Sequence, residues 1–332
     1  MTPLSDLRRL SVRVLAPVAL AAALLAACGG GTSQVEAFKP TRVIALGDEN
    51  SLIVNDGTND GFRYTINDRR GTAVGKCSLL PIFAQALGNY YGYAYEQCNP
   101  SAATPKAFIR AIAGAKVDDP ASGLAQQVAA AGTLGKGDLV SLMIGANDVI
   151  ELYERVQAGA LSSADAILEA ERRGTHTAEQ VNAILATGAR AIVVTIPDMG
   201  LSPYAVNANK TNPGASALLS RLTTDFNGFV RTRINATAYD GRNYGLVLAD
   251  DIVAAMAKVP TSFLSAPANA VDAACASASV LDCVLTDDTT TTTLVTGATA
   301  TSHLWASDRH IGPEVHARIG QQMQQRAANN PF

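Results

Sequence analysis

Short apolar runs recur along the chain at the spacing that alternating strands and helices produce. Residues 43–46 (VIAL) are continuously apolar and stop at Gly47-Asp48. Residues 138–144 (DLVSLMI), 191–196 (AIVVTI) and 244–249 (YGLVLA) have the same character. Runs that are apolar without alternation mark strands buried on both faces. Residues 89–96 (NYYGYAYE) are aromatic and half alternating, and predict a further strand, second in chain order. Helical patterns are expected over 79–87, 124–131, 164–170 continuing through 177–187, and 215–237. This alternation predicts an α/β fold: a three-layer α/β/α sandwich around a mostly parallel five-stranded sheet. Ligands of such sheets bind beyond the carboxyl ends of the strands, so the loops that follow each run are the places to look for chemistry.

Two stretches break the pattern. Residues 56–72, rich in Asn, Asp, Gly and Arg around FRYTI, read as an inserted β-hairpin or loop within one domain of residues 41–332. Residues 287–301 contain Thr289 to Thr293 in a row. β-Branched threonine disfavours helix, which leaves an extended segment or an irregular loop.

Composition narrows the function classes. The chain has 332 residues, 48% hydrophobic and 17% charged, with net charge −3. That balance carries no basic footprint for nucleic acid. The first residues stand apart: Arg8, Arg9 and Arg13 precede an uncharged apolar run over 15–27 that ends in small residues. This is the anatomy of a secretory signal, too short to span a bilayer comfortably. Its end, Leu25-Ala26-Ala27-Cys28, resembles a bacterial lipobox, in which the cysteine is lipidated and becomes the new N-terminus. The expectation is a signal peptide over 1–27, a lipidated Cys28 and a flexible tether over 28–40. The chain would then be exported and held in the cell envelope by a lipid in the membrane; Gly29 after the cysteine resembles outer-membrane sorting. Cys77, Cys98, Cys275 and Cys283 remain, an even number that suits two disulfides in an exported protein. Nearest-neighbour pairing, Cys77–Cys98 with Cys275–Cys283, is expected among the three possible connectivities. No spacing of Cys and His suggests a metal site, and no cofactor is expected.

Four short segments carry a family resemblance. Gly47-Asp48-Glu49-Asn50-Ser51 stands where Gly-Asp-Ser-x-Ser opens the SGNH/GDSL hydrolases. Ala111-Ile112-Ala113-Gly114-Ala115 resembles the second block of that family, whose glycine N–H faces the oxyanion. Gly145-Ala146-Asn147-Asp148 is similar to the third, Gly-x-Asn-Asp, whose Asn amide is another oxyanion donor. Trp305-Ala306-Ser307-Asp308-Arg309-His310 resembles the fifth, which carries the catalytic Asp and His. The resemblance spans nearly the whole chain from Arg42 onward. It implies an SGNH (flavodoxin-like) fold, hydrolysis of a small-molecule, lipid or glycan ester, and roles for Gly114, Asn147 and His310. The residue types suit acyl transfer, which needs a nucleophile, a base, a group orienting the base, and donors aimed at the developing oxyanion.

The chain also departs from the family. Glu49 occupies the position of the nucleophilic serine, Ser307 that of the aspartate three residues before His310, and Ile109 that of an asparagine in the second block. Three mechanisms remain open on the sequence. A displaced triad would use Ser51, His310 and Asp308. Glu49 with His310 could act as a general base on water. Alternatively Glu49 could occupy the oxyanion donors of a cleft that binds but does not hydrolyse.

Overall fold

Continuous burial is what converts the four apolar runs into a central sheet. In the computed structural model, which describes residues 37–70, 77, 79–99, 101, 104–285 and 293–328, the strands are β1 (Arg42–Gly47), β2 (Asn67–Asp68), β3 (Ala107–Ile109), β4 (Asp138–Met143), β5 (Arg190–Val194), β6 (Tyr244–Val247), β7 (Asn269–Ala273), β8 (Val284–Leu285) and β9 (His303–Trp305). The expected lipidation site Cys28, the signal, most of the tether, Thr72 and Thr289 to Thr292 lie outside the described residues.

Five strands form one parallel sheet in the order β3-β1-β4-β5-β6. Its strands follow the doubly wound order in which the chain reverses direction between the first strand and its neighbour, and the crevice opens at that point. Here that point lies between β1 and β4, which pair from Arg42↔Asp138 to Gly47↔Met143. The two strands therefore end side by side, and whatever follows each is brought together. Helices Ala146–Gln157, Ser163–Ala186 and Ala215–Arg233 pack on one another; Phe83–Tyr90, Ala249–Lys258 and Pro313–Ala328 form the other group. Together with the sheet they make the three-layer α/β/α architecture.

One strand differs from the sequence expectation. Residues 89–96 do not form the second strand; β3 does, and Tyr95 contributes only an isolated parallel bridge to Ala107. Asn89 and Tyr90 instead finish the helix Phe83–Tyr90, and Gly92 turns the chain at φ +72°. The aromatic pattern reflects packing: Tyr95 is buried and its hydroxyl donates to Ala84 O (3.1 Å). The expected helix over 164–187 is one continuous element, Ser163–Ala186, capped by the Ser162 hydroxyl accepting from Asp165 N.

The insertion is a loop closed by an antiparallel bridge, Ile53↔Arg63, after which β2 pairs in parallel with β8. Ile66, Ala274, Cys275, Val280, Cys283 and Ala306 form a small apolar cluster of their own. Both disulfides, Cys77–Cys98 and Cys275–Cys283, are formed. Among the described residues no helix is long and apolar enough to cross a membrane.

Candidate active site

The site is built at the ends of β1 and β4, where two backbone groups meet at a distance only glycine allows. Gly47 has φ +129°, and a Cβ there would lie 1.9 Å from Met143 O. Beyond it, Asp48 N donates to that same carbonyl (3.1 Å). Gln127, buried on the helix Leu124–Ala130, clamps Gly47 from the other side: Gly47 N donates to Oε1 (2.7 Å) and Nε2 donates to Gly47 O (2.9 Å). Sequence reasoning missed this residue, because an isolated glutamine in a helical pattern carries no signal. Gln127→Ala should leave Gly47 N without its side-chain acceptor, while Gly47 O keeps Ile112 N as a donor (3.1 Å), and cost about 1–3 kcal/mol of stability, readable as a fall in the urea midpoint.

Asp48 then caps a single 3₁₀ turn, Glu49–Ser51, with Oδ1 accepting from Asn50 N (3.0 Å) and Asn50 Nδ2 (3.1 Å). The turn sends Glu49 over the strand ends. Ser51 goes the other way: it is fully buried, its Oγ 3.1 Å from the Cβ position of Gly47, and the hydroxyl has no hydrogen-bond partner among the described residues. Ser51 therefore lies against the end of β1 without a hydrogen bond to His310, and the displaced triad is not assembled.

Glu49 is placed between the two remaining groups. Its Oε2 accepts from Gly114 N (2.9 Å) and from Asn147 Nδ2 (2.9 Å). Its Oε1 stands 3.4 Å from His310 Nε2. Gly114 needs its left-handed φ of +72° to aim that N–H, although space is open around it. Asn147 is the second residue of the helix Ala146–Gln157, whose N-cap is Gly145 at φ +127°. A Cβ on Gly145 would meet the Phe226 ring at 2.4 Å. Asp148 joins the two donor segments, accepting from Val117 N (3.2 and 3.1 Å) and from Arg173 (2.9 Å). Asn147 does not cap its helix; its amide is spent on Glu49 and, more weakly, on Ala115 O (3.3 Å).

The other wall is the turn before the C-terminal helix. Ala306 N donates to His310 O (2.8 Å), closing the turn that presents the imidazole. Ser307 Oγ lies 2.6 Å from His310 Nδ1. Asp308, expected to orient the histidine, does not touch it; its half-exposed carboxylate meets Ser307 Oγ (3.3 Å) and Arg309 (3.3 Å). It stands two positions before His310, whereas the turn brings the side chain three positions before, that of Ser307, to the ring. Tyr64, from the insertion, packs its ring on His310 with centroids 5.4 Å apart, and Thr65 donates to Ile311 O (3.0 Å). The insertion thus supplies one wall of the cleft, and nothing within FRYTI marks Tyr64 as the residue that does so.

The electrostatics follow from crowding carboxylates in a buried place. Burial alone would raise the Glu49 carboxyl, but His310, Asn147 and its own N–H outweigh it and hold the pKa at about 2. Asp48 next to it is pushed well above the usual range by burial and by the Glu49 charge. Burial likewise raises Asp148 to about 6, against the pull of Arg173. For Glu49 the folded value lies below the ordinary 4.5, so its stabilisation is complete above that pH and lost as pH falls towards 2. The stability difference between the chain and Glu49→Gln should therefore shrink over that window, as denaturation at stepped pH would show.

The site thus offers the donors for an oxyanion, already bound to a carboxylate, and a histidine facing that carboxylate. The sequence profile of the GDSL-like lipase/acylhydrolase family matches residues 31–284. This chain belongs to that family. The matched residues include Glu49, Gly114 and Asn147, and His310 lies beyond them. Among solved structures, the chain is similar to an acetyl xylan esterase from Geobacillus stearothermophilus (14% identity over 89% of this chain and 97% of that one, TM-score 0.45). It is also similar to phospholipase A1 from Streptomyces albidoflavus (13%, 87% and 100%, TM-score 0.41) and to an extracellular lipase from Streptomyces rimosus (13%, 87% and 100%, TM-score 0.39). No curated protein matches the chain.

Proposed function

We propose that this family member uses its cleft to bind an ester-type ligand and does not hydrolyse it by the serine route, because Glu49 fills the oxyanion site. One observation carries this reading: a single carboxylate oxygen, Oε2, accepts from both Gly114 N and Asn147 Nδ2 at 2.9 Å. Those charge-assisted bonds are short and strong, and they use the donors that a tetrahedral intermediate would need. A carboxylate held at about 2 is also a weak proton acceptor at neutral pH. The ligand class is a small-molecule, lipid or glycan ester, following the family.

A second reading has its own support. Oε1 lies outside the donor pair and 3.4 Å from His310 Nε2, so a water held there could be activated by Glu49 as a general base. Turnover of short p-nitrophenyl esters separates the two. Under the first reading the purified chain is no faster than its Glu49→Gln and His310→Ala variants. Under the second it hydrolyses the ester, and both substitutions abolish the activity.

Export and lipid anchoring through Cys28 belong to the same proposal, on the strength of the leader's charged, apolar and small-residue segments. Radiolabelled palmitate should enter the expressed chain and should not enter the Cys28→Ser variant. A membrane-free, unlabelled wild type would overturn it.

A further inference from the structure

Ser307 stands where the family pattern has an aspartate, and a hydroxyl differs from a carboxylate in that it can donate a hydrogen bond. Its Oγ accepts from His310 N (3.3 Å) and Arg309 N (3.4 Å), which use both lone pairs, so in the short 2.6 Å contact to His310 Nδ1 the hydroxyl is the donor, in preference to Asp308 Oδ1 at 3.3 Å. The other ring nitrogen, Nε2, faces Glu49 Oε1 across 3.4 Å, with the two side chains only 11% and 8% exposed. A carboxylate oxygen can only accept. A lone pair on Nε2 would set two acceptors against each other in a poorly screened place. With the proton on Nε2 the contact is attractive, and Nδ1 is left to accept from Ser307.

We infer that Ser307 is a positioning residue that fixes His310 in the Nε2–H tautomer, making the imidazole a donor to Glu49 and not a base. A carboxylate at the same place would bind Nδ1–H and leave the Nε2 lone pair free to take a proton from a nucleophile. Ser307 and Glu49 are then one coupled change: the hydroxyl leaves the ring proton on the nitrogen that faces the carboxylate, and the charge of the carboxylate holds it there. The inference deepens the filled-cleft reading and rests on it for its functional meaning.

Nitrogen NMR of the histidine-labelled full chain tests it, with His310 assigned by the signal lost in His310→Gln. At neutral pH the Nε2–H tautomer is expected, and it should persist in Ser307→Thr, which keeps the hydroxyl. A proton on Nδ1, alone or together with Nε2, would overturn the inference. Kinetics supply a second readout in the Glu49→Ser background. There, adding Ser307→Asp should move the proton to Nδ1 and raise kcat/KM for p-nitrophenyl acetate by about 10³-fold. If the single variant is active and the double variant no faster, the inference fails. If neither hydrolyses the ester while the native tautomer is Nε2–H, the filled-cleft reading fails and the role of Ser307 stands.

Discussion

If Glu49 fills the oxyanion site as proposed, Glu49→Ser is expected to create ester hydrolysis. The substitution removes the Oε2 atom that now accepts from Gly114 N and Asn147 Nδ2, and both donors are freed for a developing oxyanion. It also places a hydroxyl on the 3₁₀ turn that faces His310, because Asp48 still caps that turn through Asn50. Such a site, with its histidine oriented by a hydroxyl, should reach about 10³-fold over the uncatalysed reaction, the level that donors and binding alone sustain in a crippled triad. The measurement is release of p-nitrophenol from the acetate ester, with Glu49→Gln beside it. Glutamine keeps an oxygen for the same donors, so that variant should stay inert. Equal rates in the native chain and Glu49→Ser would remove the filled-cleft reading.

Gly47→Ala is expected to be the most damaging single-methyl change in the fold. The new Cβ would meet Met143 O at 1.9 Å and Met143 C at 2.8 Å, both backbone atoms of the adjacent strand β4, at a φ of +129° that side chains rarely adopt. Neither neighbour can rotate away, so β1 and β4 must separate where they also carry the site. Overpacking and backbone strain add to roughly 4 kcal/mol, a large share of the stability of an ordinary domain. The urea midpoint, or the soluble yield if the variant does not accumulate, checks it. An unfolding free energy within ~0.5 kcal/mol of that of the native chain would contradict the close approach.

These two effects also separate what could be read along the chain from what could not. The sheet was legible wherever burial on both faces makes a run apolar throughout: β1, β4, β5 and β6 fall on the expected runs. β3 was not, because a three-residue edge strand (Ala107–Ile109) has too little pattern to be seen. The tyrosine-rich 89–96 looked more strand-like, though its buried Tyr95 bonds to a helix carbonyl. Glu49, Gly114, Asn147 and His310 were identifiable through the resemblance of four short segments, in order, to the blocks of the family. Gln127 and Tyr64 were not, since their roles exist only through contacts across the fold.

What Glu49 does is the clearest case. The sequence by itself determined that a carboxylate occupies the nucleophile's place and that Ser307 replaces an aspartate. It left the carboxylate free to be a base, a bystander to Ser51, or an occupant of the oxyanion donors. Only the tertiary structure decided where the two oxygens point: Oε2 to Gly114 and Asn147, Oε1 towards His310, with Ser51 turned under β1. Local sequence fixes the turn and the residue type. The partners come from segments 65 and 98 residues away, and only the in-register ends of parallel strands bring them within hydrogen-bond distance.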